Sequence, residues 1–341
     1  MAFASKDLLQ GVKRKSNSRF HIVISGIVLL LLLWALWTEL NARENLDQLW
    51  PAFLQQLQQA NSLWLAGVLG LMPLNWLTEA LKWQRFMQKY EPMPLRRALL
   101  AVWIGVSFSL FTPNRVGEYG GRILLVRPEN RWKAVIINLV GNYSQYLILL
   151  TAGALGACYF FSRYGFPDYP WLEYLGWIIS GGLLLLHLLY FNLKRAMPFL
   201  LRIPGLRRWR FLQNELAVLH HFSPAELLQL YSWSALRYGI YTTQYFLLLH
   251  FFGISPGIFT AFAGIATIFL VQTSLPLPPL TGLVARGNLA IWIWLHFGAN
   301  EVSSLAATFA LWIINLILPA LIGTFSLLYV NITKLPGYED D

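Results

Sequence analysis

Charge is what this chain lacks. Only 12% of its 341 residues are Asp, Glu, Lys or Arg, whereas a soluble domain carries roughly 25%, so a soluble globular fold is excluded. Acidic residues are the scarcer kind, 16 against 26 basic. Cysteine is nearly absent: Cys158 stands alone, which excludes an intrachain disulfide and leaves the redox compartment unread. The alternating segments of about ten residues that mark an outer-membrane barrel are missing. So are an Asp-x-Asp pair, a Gly-rich phosphate loop and a nucleophile–base arrangement, which leaves Glu118 as the one intramembrane acid or base. His220-His221 has no Cys or acidic partner at ligand spacing. An enzyme, a metal and a cofactor are therefore not expected.

What the chain has is hydrophobic sequence, 56% of the residues, with 15% aromatic. It gathers into runs near twenty long at 21–39, 62–81, 134–161, 171–191, 226–250 and 303–330. As helices rising about 1.5 Å per residue, each can cross a hydrocarbon core of roughly 30 Å. The run at 21 follows Lys13, Arg14, Lys15 and Arg19 without a small-residue cleavage site, and reads as an uncleaved anchor. The net charge of +10 does not indicate nucleic acid, because the basic residues sit between hydrophobic runs and not on one soluble face. Segments 1–20, 82–97, 113–133, 193–222 and 332–341 hold 22 of the 26 Lys and Arg, which assigns them, and both termini, to the cytoplasm. Segments 40–61, 162–170 and 276–302 hold one each, Arg43, Arg163 and Arg286, and face outward. Arg237 lies within a span.

Two places do not fit simple crossings. The stretches 82–97 and 113–133 are both basic, yet the apolar segment between them, 98–111, would rise only about 21 Å. It is expected to enter from the cytoplasm and return, as a re-entrant hairpin whose tip runs from Thr112 through Pro113, Asn114, Arg115, Gly117 and Glu118 to Arg122. Non-helical backbone at that depth requires a protein-lined or wet cavity. Later, 258–275 is followed by Pro276, Pro278, Pro279 and Gly282, then Arg286-Gly287, then the short apolar run 288–297. This reads as a second hairpin, entering from the outside.

Pro113-x-x-x-Gly117 with Arg122 and Pro278-x-x-x-Gly282 with Arg286 lie about 165 residues apart, and the spans opening near Ser62 and Glu226 are offset by nearly the same amount. The expected fold is an all-α polytopic membrane protein, with about six spanning helices and two oppositely oriented re-entrant hairpins forming an inverted repeat, a recurring transporter plan. Its parts are an anchor and outer segment, 1–61, a first repeat, 62–222, and a second repeat, 223–341. Chance placement of two proline-interrupted segments gives the same pattern.

Arg115, Glu118, Arg122, Arg237 and Arg286 fall at membrane depth, where charges are functional candidates by default. A guanidinium fork suits bidentate capture of phosphate oxygens, so these four arginines are the candidate lipid-phosphate ligands. Glu118 and Arg122, four apart, read equally as a structural ion pair or as snorkelling groups. Asn138, Asn142 and Gln145 share a helical stripe, which lines a polar path or makes interhelical hydrogen bonds. Glu79, Lys82, Gln244 and Gln272 are weaker signals of the same kind. The cationic, aromatic stretch 207–222 reads as an interfacial helix on an anionic leaflet.

The strings Glu79-Ala80-Leu81-Lys82-Trp83, Pro113-Asn114-Arg115-Val116-Gly117-Glu118-Tyr119-Gly120-Gly121-Arg122 and Arg286-Gly287 resemble the lysylphosphatidylglycerol synthase transmembrane-region family, over roughly residues 20–330. The resemblance implies a lipid-translocating module with re-entrant segments. Where many members hold an acidic residue and an arginine this chain has Asn142-Tyr143-Ser144-Gln145, and where many hold a glycine-rich motif ending in glutamate it has residues 279–286, which points away from lysyl-lipid as substrate. Residues 1–341 hold no segment resembling the soluble aminoacyl-transferase domain of the bifunctional members, so lipid synthesis is not expected of them. The expected function is translocation of an anionic, phosphate-bearing lipid across a cell inner membrane. Alternatives are a non-catalytic, lipid-presenting partner of a separately encoded lipid-modifying enzyme and a membrane-embedded headgroup transferase. The expected partners are the lipid, the membrane and a further copy of the chain or that enzyme.

Overall fold

A computed structural model describes residues 46–110, 112, 115–164, 171–195, 218–219, 222–274 and 279–329. Among these residues the secondary structure is helical and no strand occurs. Helix α1 (Leu46–Gln58) leads to α2 (Ser62–Met87), where Asn61 Oδ1 caps the start by accepting from Leu63 N at 2.9 Å. Then come α3 (Leu95–Ser109), α4 (Gly117–Ile123), a 3-10 turn (Pro128–Asn130), α5 (Arg131–Tyr164) and α6 (Trp171–Phe191). Helix α7 (Pro224–Phe251) opens with a capping box, Ser223 and Glu226 exchanging hydrogen bonds between side chain and backbone. Helices α8 (Ile258–Ser274), α9 (Pro279–Leu295) and α10 (Glu301–Trp312) follow, and a π turn (Ile313–Ile317) joins α10 to α11 (Leu318–Tyr329).

Five of the six long apolar runs fall on helices: α2, α5, α6, α7 and the continuous α10–π–α11. The run 21–39 lies outside the described residues. By length and composition, Pro128–Arg163 and Glu301–Leu327 are long and apolar enough to cross a membrane. Helices α2 and α7, of 26 and 28 residues, have the length but carry Glu79, Lys82 and Arg237 in their interiors.

The core is built from contacts between the two halves of the chain. Helix α2 packs on α7, α5 on α8, and α3 on α11. Helices α2 and α7 run antiparallel, with Gln244 Nε2 donating to Val68 O at 2.9 Å and Arg237 Nε donating to Asn75 Oδ1 at 3.2 Å. The α3–α11 crossing is tight enough that a Cβ on Gly323 would stand 2.1 Å from Trp103 O. At α5–α8 a Cβ on Gly153 would stand 2.6 Å from Leu270 Cβ and 3.2 Å from Ala266 O.

Each short-helix segment folds back on itself. Helix α4 lies antiparallel along α3, so close that a Cβ on Gly121 would fall 2.6 Å from Gly105 Cα and one on Gly117 2.2 Å from Phe108 O. Thr112 Oγ1 closes the turn by accepting from Gly117 N at 2.7 Å. Helix α9 returns along α8, with Gly264 against the Trp294 ring. Both breaks are narrower than the sequence pattern suggests. Gly117, Glu118 and Arg122 lie on a helix and not in a loop tip, as do Gly282, Arg286 and Gly287. The reason is local: Pro279 is suited to the first turn of a helix, and the glycines serve packing, a Cβ on Gly287 meeting Leu305 Cδ2 at 2.7 Å.

Basic segments meet at one end. Glu91, 3% exposed, accepts from Arg127 N and Asn130 Nδ2 and faces Arg97. Lys89 pairs with Glu226 at 2.5 Å and lies over the Phe86 and Phe222 rings. The end of α2, the start of α5 and the start of α7 are thereby joined. Of the stretch 207–222, Val218, Leu219 and Phe222 are described, and all three are buried. His220 and His221 lie outside the described residues.

Candidate functional site

Where α2, α4 and α7 meet, a chain of charged groups lies inside the bundle. Glu79, 1% exposed, takes three cations: Lys82 Nζ at 2.8 Å, Arg122 Nη2 at 2.8 Å and Arg237 Nη1 at 3.0 Å. Arg122, equally buried, also pairs with Glu118 one helical turn before it. Arg115 reaches Glu118 from outside, Nη2 to Oε2 at 3.3 Å, with its side chain 46% exposed. The arginines rest on aromatic faces, Arg122 over Trp83 at 5.3 Å and Arg237 over Trp76 at 5.1 Å, a contact strengthened by desolvation. A neutral chain extends the cluster, Asn75 Nδ2 donating to Asn315 Oδ1 at 2.8 Å. Asn315 stands in the π turn, a break of the kind often found at functional sites.

Arg286 sits apart from that network. Among the described residues no carboxylate pairs with it, and its buried Nε has no hydrogen-bond partner. The phenols of Tyr241 and Tyr245 and the guanidinium of Arg115 are near enough to act on its charge. Arg115 also bears electrostatically on Arg237 and Tyr241. It holds a left-handed backbone, φ 58°, the one described non-glycine residue to do so. Such a conformation costs of order 1–3 kcal/mol and persists where its surroundings enforce it.

The electrostatic result is an imbalance. Lys82, Arg122, Arg237 and Arg286, wholly or partly buried, stand against two buried carboxylates, Glu79 and Glu118, a surplus of two positive charges to which the half-exposed Arg115 adds a third. A buried charge without a partner costs several kcal/mol. An anion with two or more oxygens would offset it.

Of the four arginines singled out from the sequence, Arg115, Arg122 and Arg237 belong to one network through Glu118 and Glu79, and Arg286 lies outside it. Pro113 and Asn114 lie outside the described residues. Gly282 lies on α9, one turn before Arg286. Asn142 Nδ2 donates to Tyr119 Oη at 2.9 Å, while Gln145 Oε1 and Asn138 Nδ2 are buried without partners. The sequence reading underrates Glu79, the hub, names Trp83 only within a motif, and leaves out Asn75, Asn315 and Trp76. Its available signals are an acid and a base three apart in an apolar span and a lone Asn in the apolar run 303–330.

No curated protein matches the chain closely enough to count as a relative. The description of one protein family, Lysylphosphatidylglycerol synthase TM region, matches residues 21–323. Its transmembrane character agrees with the long apolar helices and with charged groups that meet inside the bundle. The chain is a membrane protein, tied to lipid through its family, and it belongs to the Lysylphosphatidylglycerol synthase TM region family.

Proposed function

We propose that the chain is a multi-pass inner-membrane protein, both termini cytoplasmic, that moves an anionic, phosphate-bearing lipid between leaflets and is not itself an enzyme. The observation that carries this reading is the surplus of positive charge, four wholly or partly buried cations and the half-exposed Arg115 against two carboxylates. Guanidinium forks at that depth fit a phosphate, which makes two charge-assisted hydrogen bonds to each.

A transporter plan of two inverted units agrees with the packing. Helices α2 and α7 begin 162 residues apart, α3 and α8 begin 163 apart, and α5 and α10 begin 170 apart. Asn75 and Arg237 are also 162 apart, and they are hydrogen-bonded to each other. A residue touching its own counterpart is what a two-fold axis requires. The Trp103–Gly323 contact transforms, by offsets of 163 and 170, into the Ala266–Gly153 contact. In this reading the hairpins α3–α4 and α8–α9 are the re-entrant elements, entering from opposite faces, and α6 lies outside the repeat.

The test compares Arg115→Ala, Arg286→Ala and the double variant in proteoliposomes carrying fluorescent phosphatidylglycerol, at matched folding. Each single loss should slow leaflet transfer by about tenfold or more, corresponding to one charge-assisted bond, and the second should add less than the first because both act on one headgroup. Lipid retained on purification but never transferred would leave a lipid-presenting protein. Normal transfer by both single variants would end the proposal.

A further inference from the structure

Arg286 has a counterpart across the pseudo-two-fold, and the comparison explains why it is unpaired. Taking Arg122 on α4 and Arg286 on α9 as the matching residues, the position one turn before each is Glu118 in the first unit and Gly282 in the second, and the α2–α7 offset of 162 relates Glu79 to Tyr241. In the first unit the arginine is held by two carboxylates, one on its own helix a turn earlier and one on the facing long helix. In the second unit the same two positions are Gly282 and Tyr241. The arginine has stayed and both of its acids are gone, leaving a buried Nε without a partner beside Tyr241, Tyr245 and the left-handed Arg115.

We infer that the ligand's phosphate takes the place of the two missing carboxylates, so that Arg286, with Tyr241 and Arg115 beside it, is the phosphodiester site, while Arg122, with Glu79 and Glu118, is its internally neutralised copy. This rests on the lipid reading above and narrows it to one of the two arginines. The geometry also suits the ligand: Glu79 and Glu118 together present carboxylate oxygens to one guanidinium, and the non-bridging oxygens of a single phosphodiester can do the same. The phenol of Tyr241 supplies a donor that a carboxylate could not.

The consequence runs against the usual effect of deleting an arginine from a site. An unpaired buried cation destabilises the empty protein, so removing it should not harm folding. Purified protein in neutral detergent would be melted with no addition, with phosphatidylglycerol and with inorganic phosphate. Wild type should gain stability with the lipid. Arg286→Gln should melt no lower than wild type when empty and lose the lipid-induced shift, whereas Arg122→Gln should melt much lower. Gly282→Glu restores an acid one turn from Arg286, and should raise the empty melting temperature while weakening lipid binding at least tenfold. If Arg286→Gln does not fold, Gly282→Glu decides alone. A lowered empty melting temperature for Arg286→Gln with an intact lipid shift would overturn the site. So would an undiminished lipid shift in Gly282→Glu, or a wild type that neither lipid nor phosphate stabilises. A shift with lipid but not with phosphate identifies a headgroup, and an equal shift with phosphate rejects the lipid as its source. Loss of leaflet transfer with binding intact would remove the transport reading and leave this site standing.

Discussion

Glu79 answers three cations at once, so the effect of neutralising it is set by what is left behind. Glu79→Gln leaves Lys82, Arg122 and Arg237 around a neutral amide, with Glu118 the remaining acid, and breaking a buried pair in this way costs about 3–5 kcal/mol. Glu118→Gln should cost less, because Arg122 keeps Glu79 and the half-exposed Arg115 can turn to solvent. Thermal unfolding of the two variants in detergent should rank them in that order. The residues themselves were unevenly legible in the sequence. Arg115, Arg122, Arg237 and Arg286 stand out because a permanent charge inside an apolar stretch is costly and seldom kept without a task. Glu79 lies three residues from Lys82 near the end of its run, a weaker signal of the same kind as the Asn138, Asn142 and Gln145 stripe, and nothing in a linear pattern reports that cations 43 and 158 residues away converge on it. Asn315 was hidden for the same reason: its partner, Asn75, lies 240 residues away.

Helices were the most legible elements, because a continuous apolar run fixes both the type and the approximate length, and α2, α5, α6, α7 and α10–π–α11 follow the runs. Breaks were legible in kind but not in extent. Glycine and proline mark a departure from helix, yet Gly117, Gly121, Gly282 and Gly287 turned out to be helical, and in three of these, Gly117, Gly121 and Gly287, the missing side chain makes room for a neighbour. The distinction can be tested at the crossings. Gly323→Ala and Gly153→Ala each force a methyl into occupied space at related contacts, and each should destabilise by about 1–3 kcal/mol. Gly70→Ala and Gly239→Ala, where no heavy atom lies within 4 Å, should be neutral or stabilising by up to about 1 kcal/mol, the helix propensity difference. Equal losses at all four positions would mean that helix stiffness and not close packing is what these glycines supply.

At the scale of the whole molecule, the inside assignment of 22 of the 26 basic residues predicts sidedness. With Cys158 replaced, single cysteines at Asn41 and Pro167 should react with an impermeant thiol reagent on intact cells, and one at Gly205 should not. Labelling of Gly205 from outside would reverse the orientation of every segment. The joining of residues 89–97 and 127–133 at one end of the bundle agrees with a common side for two of the basic segments. Under the proposed inverted repeat, the hydrogen-bonded pair Asn75 and Arg237 carries a further meaning. A residue on a two-fold axis faces its own duplicate, so two identical units would place asparagine against asparagine or arginine against arginine at the bundle's centre. The second arrangement sets like charges in contact in an apolar medium. In the two-fold arrangement proposed above, a chain whose halves differ sets a single cation at that position, where two identical units would set two.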